Sequence, residues 1–493
     1  MTSSLTRRVV LGGLVASTGS VAFARAPDTS IRPRPRGSID AVPAAPKKLS
    51  SRADELIRKA NLGGDVGYAV ADSLSGEVLE ARMGQTFLPP ASTLKSVTAL
   101  YALDRLGAAY TFKTRAIATG PLRAGRIEGD LILAGGGDPT LDTDKLADLA
   151  TLLREAGVSE VTGDFKVYAG ALPTGDRIDL DQPDHVAYNP SYGGLNLNFN
   201  RVHFEWKRNQ DDYEVTLQAR ALRFRPSTNV ASMSIVDRRA PIFDHWSSGA
   251  RDNWSVARRA LGKEGARWLP VRFPALYAAD VFRTLARSNG IVLKPAEFSE
   301  VVPTGSVLAE VESDALQPIL GGMMRYSTNL TAEVAGLSAS AMSGGATSLA
   351  SSARLMAEYA GSLGAGRVAF RDHSGLNYDS SITPEDMVRI LAANTAVRPM
   401  MKTVNLSLGR ALPAPKDTVV HAKTGTLNFV SSLAGYVATP RRSLTFAFFS
   451  ADTARRDAIP PAERERPPGT RAWSRRSRQL QKELIRDWAQ RYA

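Results

Sequence analysis

Between two helix-bearing stretches, this chain carries a long block that reads mostly as short strands. Residues 113–305 contain alternating runs such as Val215–Ala219 and Asn229–Val236. Helical patterns near Lys145–Ala156 and Ala275–Ser288 interrupt them. Before the block, a helix is predicted near Leu49–Ala60. A hairpin follows, Gly67–Ala71 and Glu77–Ala81, around the turn at residues 72–76, and then a helix from Ser92 to Leu106 stopped by Gly107. After the block, helices are predicted at Ala315–Arg325, Leu330–Ala341, Thr347–Leu363 and Pro384–Thr395. Strands near Val419–Thr426, Ser432–Ala438 and Leu444–Ala451 and a C-terminal helix close the chain. The pattern is that of one domain interrupted by an insertion. Residues 49–112 and 306–493 would form its two parts, and 113–305 the β-rich insertion, with a second nested piece at about 176–266. A chain of 493 residues has room for about three domains.

Composition removes several kinds of chemistry. There is no cysteine, so disulfide scaffolds, thiolate zinc sites and cysteine nucleophiles are excluded. The five histidines, His185, His203, His245, His373 and His421, form no HExxH or other close pair, and no metal or cofactor is expected. The net charge of +13 invites a nucleic-acid reading, but eleven of these charges lie in residues 1–48 and 452–493. The body is nearly neutral, and no nucleic-acid partner is expected. Envelope contact, if any, would be peripheral. The first 24 residues pair Arg7-Arg8 with an apolar run ending in Ala22-Phe23-Ala24. This reads as an export signal cleaved after Ala24, twin-arginine in preference to Sec, for a protein outside the cytoplasm. Residues 25–48 are Pro-rich and basic and read as a linker. The Arg455–Arg471 stretch reads as a mobile loop. Trp473, Leu480, Leu484 and Trp488 on the last helix suit packing against a sheet better than lying on a membrane.

Three short motifs carry the chemistry. Ser92-Thr93-Leu94-Lys95 opens a helix, and residues i and i+3 share a helical face, so Lys95 can reach the Ser92 hydroxyl. A neutral amine there can take the hydroxyl proton. Ser327-Thr328-Asn329 lies between two predicted helices and can present a hydroxyl and an amide on one side of a turn. The same tripeptide at Ser227-Thr228-Asn229 opens a strand-like run and is set aside. Lys423-Thr424-Gly425-Thr426 sits on a late strand; it offers a cation, a hydroxyl and, through Gly425, a bare edge for an extended ligand. Taken singly, each motif also reads as an ordinary cap, turn or strand end. Their order is the informative feature.

In that order, the motifs resemble those of serine D-alanyl-D-alanine carboxypeptidases/endopeptidases, the low-molecular-mass class C penicillin-binding proteins. Leu131–Leu141, Tyr188–Val202 and Asp372–Leu376 resemble further segments of that family, and the similarity spans nearly the whole mature chain. The 235 residues from Ser92 to Ser327 also fit, because this family inserts domains there. The resemblance implies an α+β, multidomain chain: a β-lactamase/transpeptidase-like α-β-α sandwich with β-rich domains inserted between the first two motifs. It implies Ser92 as the acylated nucleophile and Lys95 as its base. Ser327 and Lys423 would relay the proton to the leaving amine. Asn329 would bind the substrate amide, and Thr424 the terminal carboxylate. Gly425 and Thr426 would complete the substrate strand, with backbone N–H groups of Ser92 and Thr426 as the oxyanion hole. The implied partners are peptidoglycan peptides as substrates and β-lactams as covalent inhibitors. A β-lactamase is the nearest alternative, but no E-x-x-x-N motif is present and Tyr326 does not complete a Y-x-N. A non-catalytic wall scaffold is the other alternative, and the intact Ser92, Lys95 and Lys423 speak against it. The chain departs from the family pattern at Thr328, often Asp, and at His373, often Gly. His373 is expected in a loop. Gly135-Gly136-Gly137-Asp138 lacks phosphate-loop spacing and reads as a tight turn.

Overall fold

The computed structural model describes residues 51–409 and 412–492. The expected signal and linker lie outside them. Helix α1 (Ser51–Ala60) leads into the hairpin β1 (Asp65–Asp72) and β2 (Val78–Arg82). A 3-10 turn at Ala91–Leu94 continues into α2 (Lys95–Leu106), which Gly107 ends with φ of 84°. The chain then enters β3 (Lys113–Ala118), β4 (Leu131–Gly135), α3 (Thr143–Glu155) and β5 (Phe165–Tyr168). Next come β6 (Arg201–Asn209), β7 (Asp212–Gln218), β8 (Ala231–Val236), β9 (Phe243–Ser248), β10 (Arg251–Ala257) and β11 (Glu264–Pro270). Helix α4 (Pro274–Ser288), β12 (Glu297–Phe298) and β13 (Ser306–Glu312) return it. Helices α5 (Leu316–Tyr326), α6 (Asn329–Met342), α7 (Leu349–Ser362) and α8 (Pro384–Ala393) precede β14 (Lys402–Thr403). Strands β15 (Val419–Leu427), β16 (Val430–Ala438) and β17 (Ser443–Ala451), the short α9 (Thr453–Asp457) and α10 (Thr470–Tyr492) complete it.

The central sheet has the order β14-β15-β16-β17-β1-β2, with every neighbouring pair antiparallel. The N-terminal hairpin therefore pairs with the last long strand, and both ends of the chain build one sheet. Alternation along β17 explains why this sheet is covered on two faces. Leu444, Phe446 and Phe448 join Trp473, Leu480, Leu484 and Trp488 of α10 in one buried cluster. Ala447, Phe449 and Ala451 join the cluster built from α2, α5, α6, α7 and α8. The result is an α-β-α sandwich, as expected, and α10 packs on the sheet. Each buried Leu or Phe contributes roughly 1.5–3 kcal/mol. Among the described residues, no helix is long and apolar enough to cross a membrane.

The insertion begins and ends on adjacent strands. β3 and β13 pair antiparallel within a five-stranded sheet of order β12-β5-β4-β3-β13. This sheet runs to Glu312, past the expected boundary at 305, because β13 closes it. Two three-stranded sheets, β7-β6-β11 and β8-β10-β9, occupy residues 201–270 and share a buried cluster with α3 and α4. The second S-x-N copy is structural: Asp280 accepts from Thr228 Oγ1 at 3.0 Å and from the Asn229 N–H at 2.7 Å. Asp138 accepts from the N–H and Oγ1 of Thr140, both at 2.7 Å, which is the tight turn expected there.

The stretch expected to be a mobile loop is tied down. Arg464 donates to the Asp181 carbonyl at 2.9 Å, and its own carbonyl accepts from Asn428 at 2.6 Å. Glu465 bonds His185 at 2.7 Å and Arg267 at 3.0 Å. These contacts strap the segment before α10 to the insertion. Its proline and charge content suggested disorder, but the partners are far away in sequence.

Candidate active site

Ser92 occupies the 3-10 turn that feeds α2, and Lys95 is the first residue of the α-helix, fully buried. The lysine is not at the surface because α2 runs through the middle of the helical layer. Lys95 Nζ lies 3.0 Å from Ser92 Oγ, 2.7 Å from Asn329 Oδ1 and 2.7 Å from the Ser374 carbonyl. The Asn329 amide is oriented by its other end, where Nδ2 donates to the Tyr188 carbonyl at 2.8 Å. Oδ1 must therefore face Lys95. A neutral amine has two N–H groups and one lone pair. Two of its three partners can only accept, so the lone pair is left for the Ser92 hydroxyl proton. Burial holds the Lys95 amine well below the ordinary range, and the charges of Glu333 and Asp372 offset part of that fall.

Ser327 caps α5 in a left-handed conformation, φ of 59°, and its N–H bonds the Met323 carbonyl. Such a backbone is strained for a non-glycine residue and persists where its surroundings fix it. Ser327 Oγ accepts from Lys423 Nζ at 2.8 Å, and Lys423 also donates to the Thr424 carbonyl at 2.8 Å. Burial pushes the Lys423 amine down to about 6, and the nearby positive charges of Lys95 and Lys402 push the same way. A neutral amine and a hydroxyl in contact can pass a proton in either direction.

Thr424 and Thr426 alternate on β15 and are both exposed, while Lys423 and Gly425 are buried. Gly425 was expected to keep the strand edge bare for a ligand. Its open side instead faces the turn that carries Ser92. A Cβ there would lie 2.8 Å from the Pro90 carbonyl oxygen, 2.9 Å from the Ser92 nitrogen and 2.0 Å from Ser432 Oγ. Ser432 Oγ also donates to the Pro90 carbonyl at 2.6 Å, pinning the turn to the sheet. Glycine is needed for close packing of Ser92 on β15. Gly425→Ala is expected to slow the reaction of the Ser92 hydroxyl with an acylating agent by roughly 100-fold, because an ångström-scale displacement of a reacting group costs that much. A circular-dichroism spectrum unchanged from wild type beside that loss would confirm a local effect; unchanged acylation would refute it.

The site opens into a cleft of about 290 Å³. Ser92, Ser327, Asn329 and Thr426 line it, with Gln182 and Tyr188 from the insertion, Asn428, and Arg456 from α9. Arg456 lies over the Tyr378 ring, 3.9 Å from its centroid. Sequence reasoning missed Gln182, Asn428, Arg456 and the Tyr188 carbonyl as cleft walls. It also missed Glu333. This residue is fully buried on α6, and its carboxyl accepts the N–H groups of His373 at 2.8 Å and Ser374 at 3.0 Å. Burial and the Asp372 charge push its carboxyl upward. A lone acid within the apolar run Leu330–Leu337 was the available signal. Asp372 is also fully buried, and accepts from the N–H groups of Gly375, Leu376 and Asn377 and the hydroxyls of Ser374 and Ser380. It shapes the loop that offers the Ser374 carbonyl to Lys95.

His373 lies in that loop, as expected, and its side chain is buried. Its Nε2 bonds Ser352 Oγ at 2.7 Å, and burial pushes the imidazole down to about 3, so it is neutral. Its ring fills the space left by Gly336 on α6, where a Cβ would come within 2.2 Å of Nδ1.

An α-β-α sandwich in which a cleft-lining serine is bonded to a buried lysine, beside a second Ser–Lys couple on the sheet, defines the penicillin-binding class of serine acyl-transfer enzymes. The comparisons agree. Residues 49–465 match the D-Ala-D-Ala carboxypeptidase 3 (S13) family, to which the chain belongs. It is 28% identical over 466 residues to a D-alanyl-D-alanine carboxypeptidase of Actinomadura sp., covering 83% of this chain and 82% of that one. It is 24% identical over 433 residues to the D-alanyl-D-alanine carboxypeptidase DacB of Haemophilus influenzae, covering 80% and 87%. The crystal structure of penicillin binding protein 4 (dacB) from Haemophilus influenzae matches with a TM-score of 0.73 at 20% identity, covering 90% of this chain and 100% of that one. The chain is a hydrolase of the serine D-Ala-D-Ala peptidase type.

Proposed function

We propose that Ser92 is the acylated nucleophile of this peptidase, acting on D-Ala-D-Ala stems and D-amino-acid cross-bridges of peptidoglycan, and that penicillins acylate the same hydroxyl. The observation that carries this reading is the hydrogen-bond set of Lys95, which leaves its lone pair to Ser92. Ser92 Oγ attacks the carbonyl carbon while its proton passes to Lys95. General-base help of this kind is worth roughly 10²–10⁴-fold. The backbone N–H groups of Ser92 and Thr426 hold the oxyanion. The C–N bond then breaks, and the proton held by Lys95 is relayed through Ser327 and Lys423 to the leaving amine, which leaves Lys95 neutral again. Asn329 keeps one amide hydrogen for the substrate, and Thr424 holds the terminal carboxylate. Water attacks the ester carbon, Lys95 takes its proton and passes it to Ser92 Oγ as the Oγ–C bond breaks and the acid product leaves. The basic start, apolar run and Ala22-Phe23-Ala24 support export across the cytoplasmic membrane, where this substrate lies.

Incubation with a fluorescent penicillin and mapping of the adduct tests the reading. The label is expected on Ser92 and absent from Ser92→Ala. A label elsewhere, or one retained in the variant, would sink it.

A further inference from the structure

Behind Lys95, a row of buried polar groups runs through three helices to the loop of residues 372–376. Tyr101 of α2, Ser340 of α6, Ser352 of α7 and His373 are each 1% exposed or less. Tyr101 Oη lies 3.0 Å from Ser340 Oγ, and Ser340 Oγ lies 2.7 Å from Ser352 Oγ. Ser352 Oγ lies 2.7 Å from His373 Nε2, and Nδ1 of the same ring lies 3.3 Å from Met356 Sδ. A thioether sulfur can only accept, so the ring proton sits on Nδ1 and Nε2 is an acceptor. The Ser352 hydroxyl then donates to Nε2, Ser340 to Ser352, and Tyr101 to Ser340. One end of the row sets the direction of every hydrogen bond in it. Buried networks satisfied in this way rigidify the elements they join.

The row ends on the residue that precedes the Ser374 carbonyl, and His373 is held there in three directions. Its N–H donates to Glu333 of α6 at 2.8 Å, its carbonyl accepts from Thr98 of α2 at 2.6 Å, and its ring reaches α7. Thr98 lies about one turn after Lys95 on the same helix. One peptide beyond His373, the Ser374 carbonyl accepts from Lys95 Nζ at 2.7 Å. The backbone bonds of residue 373 are open to any side chain; the link to α7 belongs to the imidazole. Gly336 on α6 leaves the space that the ring fills. His373 is also one of the positions at which the chain departs from the family pattern. The ring itself is buried and lies outside the walls of the cleft.

We propose that the His373 ring is a positioning group for the base, a role that rests on the reading of Lys95 as that base. By tying the loop to α7, the ring fixes the Ser374 carbonyl and so aims the Lys95 lone pair at Ser92. The amine has three partners: Ser92 Oγ, Asn329 Oδ1 and the Ser374 carbonyl. If the carbonyl drifts, the N–H aimed at it can turn, and the lone pair turns with it. A reacting group misplaced by about 1 Å loses roughly a hundredfold in rate. His373 thus acts without touching substrate, through a carbonyl one residue away.

Labelling with a fluorescent penicillin over a range of concentrations separates the limiting acylation rate from the half-saturating concentration. Two side chains close to histidine in size test the ring. His373→Leu fills the space but offers Ser352 no acceptor, whereas His373→Gln can present Oε1 to it. In His373→Leu the limiting rate should fall by roughly tenfold to a hundredfold, with half-saturation within about twofold of wild type. His373→Gln should recover to within about threefold of wild type, because the acceptor is restored. Ser352→Ala keeps the ring and removes its donor, the smallest change of the three, and should slow acylation by about threefold or more. A carbonyl acceptor favours the ammonium of Lys95. Loosening it should move the acid limb of acylation to lower pH in His373→Leu and leave the limb in place in His373→Gln. A urea midpoint that falls in His373→Leu and Ser352→Ala while rate and limb stay at wild-type values would make the ring a filler and overturn the proposal. So would a His373→Gln variant as slow as His373→Leu. Failure of the underlying reading looks different: Lys95→Met would then label Ser92 at near the wild-type rate.

Discussion

Lys95→Met is expected to lower the rate of Ser92 acylation by penicillin by roughly 10³-fold or more while the protein still folds. Methionine matches the length and volume of the buried stem, so the helical layer keeps its packing. Asn329 Oδ1 and the Ser374 carbonyl lose their donor, at about 1–3 kcal/mol each. The buried amine and its desolvation cost disappear at the same time, which offsets part of that loss. The melting temperature should therefore fall modestly, and activity almost completely. Lys95→Arg should fail as badly, because a guanidinium has no lone pair to offer at any usable pH. In wild type, the acid limb of the acylation profile should lie well below the 10.5 of an unperturbed lysine. Burial disfavours the ammonium, so the base form is present at lower pH and the rate rises with pH through that limb. Stopped-flow labelling with a fluorescent penicillin reads both results. Near-normal acylation in Lys95→Met would move the role of base to Lys423.

The candidate site was legible because its constraints are local. Ser92 and Lys95 share one helical face, Ser327 and Asn329 flank one turn, and Lys423 and Thr424 lie on one strand. The two halves of the sandwich were legible for a similar reason, since each strand and helix carries its own apolar period. What stayed hidden depends on partners distant in the chain. Gly425 looked like an open edge, but the atoms that need its missing side chain belong to Pro90, Ser92 and Ser432. His373 is the loop residue it looked like, but the space its ring fills is made by Gly336, far from it in the chain. The segment before α10 has the composition of a mobile loop, and only folding brings Asp181, His185 and Arg267 to meet it. The cleft walls at Gln182 and Tyr188 come from the insertion, and no motif marks which of its loops turns toward Ser92.

Glu333→Ala should be the most destabilising single change near the site. The carboxyl accepts two buried N–H groups, and removal strands both, at about 1–3 kcal/mol each, beside a new cavity. The total is on the order of 3–5 kcal/mol, measurable as a shifted urea midpoint at unchanged slope. The same amides set the loop whose Ser374 carbonyl holds Lys95, so acylation should fall with stability. Glu333→Gln separates charge from shape. One amide oxygen still accepts, and the stability loss should be smaller. Burial and Asp372 raise the Glu333 carboxyl above its unfolded value of 4.5. A carboxyl raised in this way contributes stability that is fully present below its unfolded value and is lost as pH rises through the folded one. Wild type should lose that contribution as pH rises from about 4.5 to about 8, and Glu333→Gln should lack the loss. The Glu333 charge also favours the ammonium of Lys95. Without it, the lysine should release its proton more easily, and the acid limb of acylation should move to lower pH. An acid limb that stays in place in Glu333→Gln would reduce Glu333 to a structural acceptor for the loop; a limb that moves makes it the group that sets the working pH of Lys95.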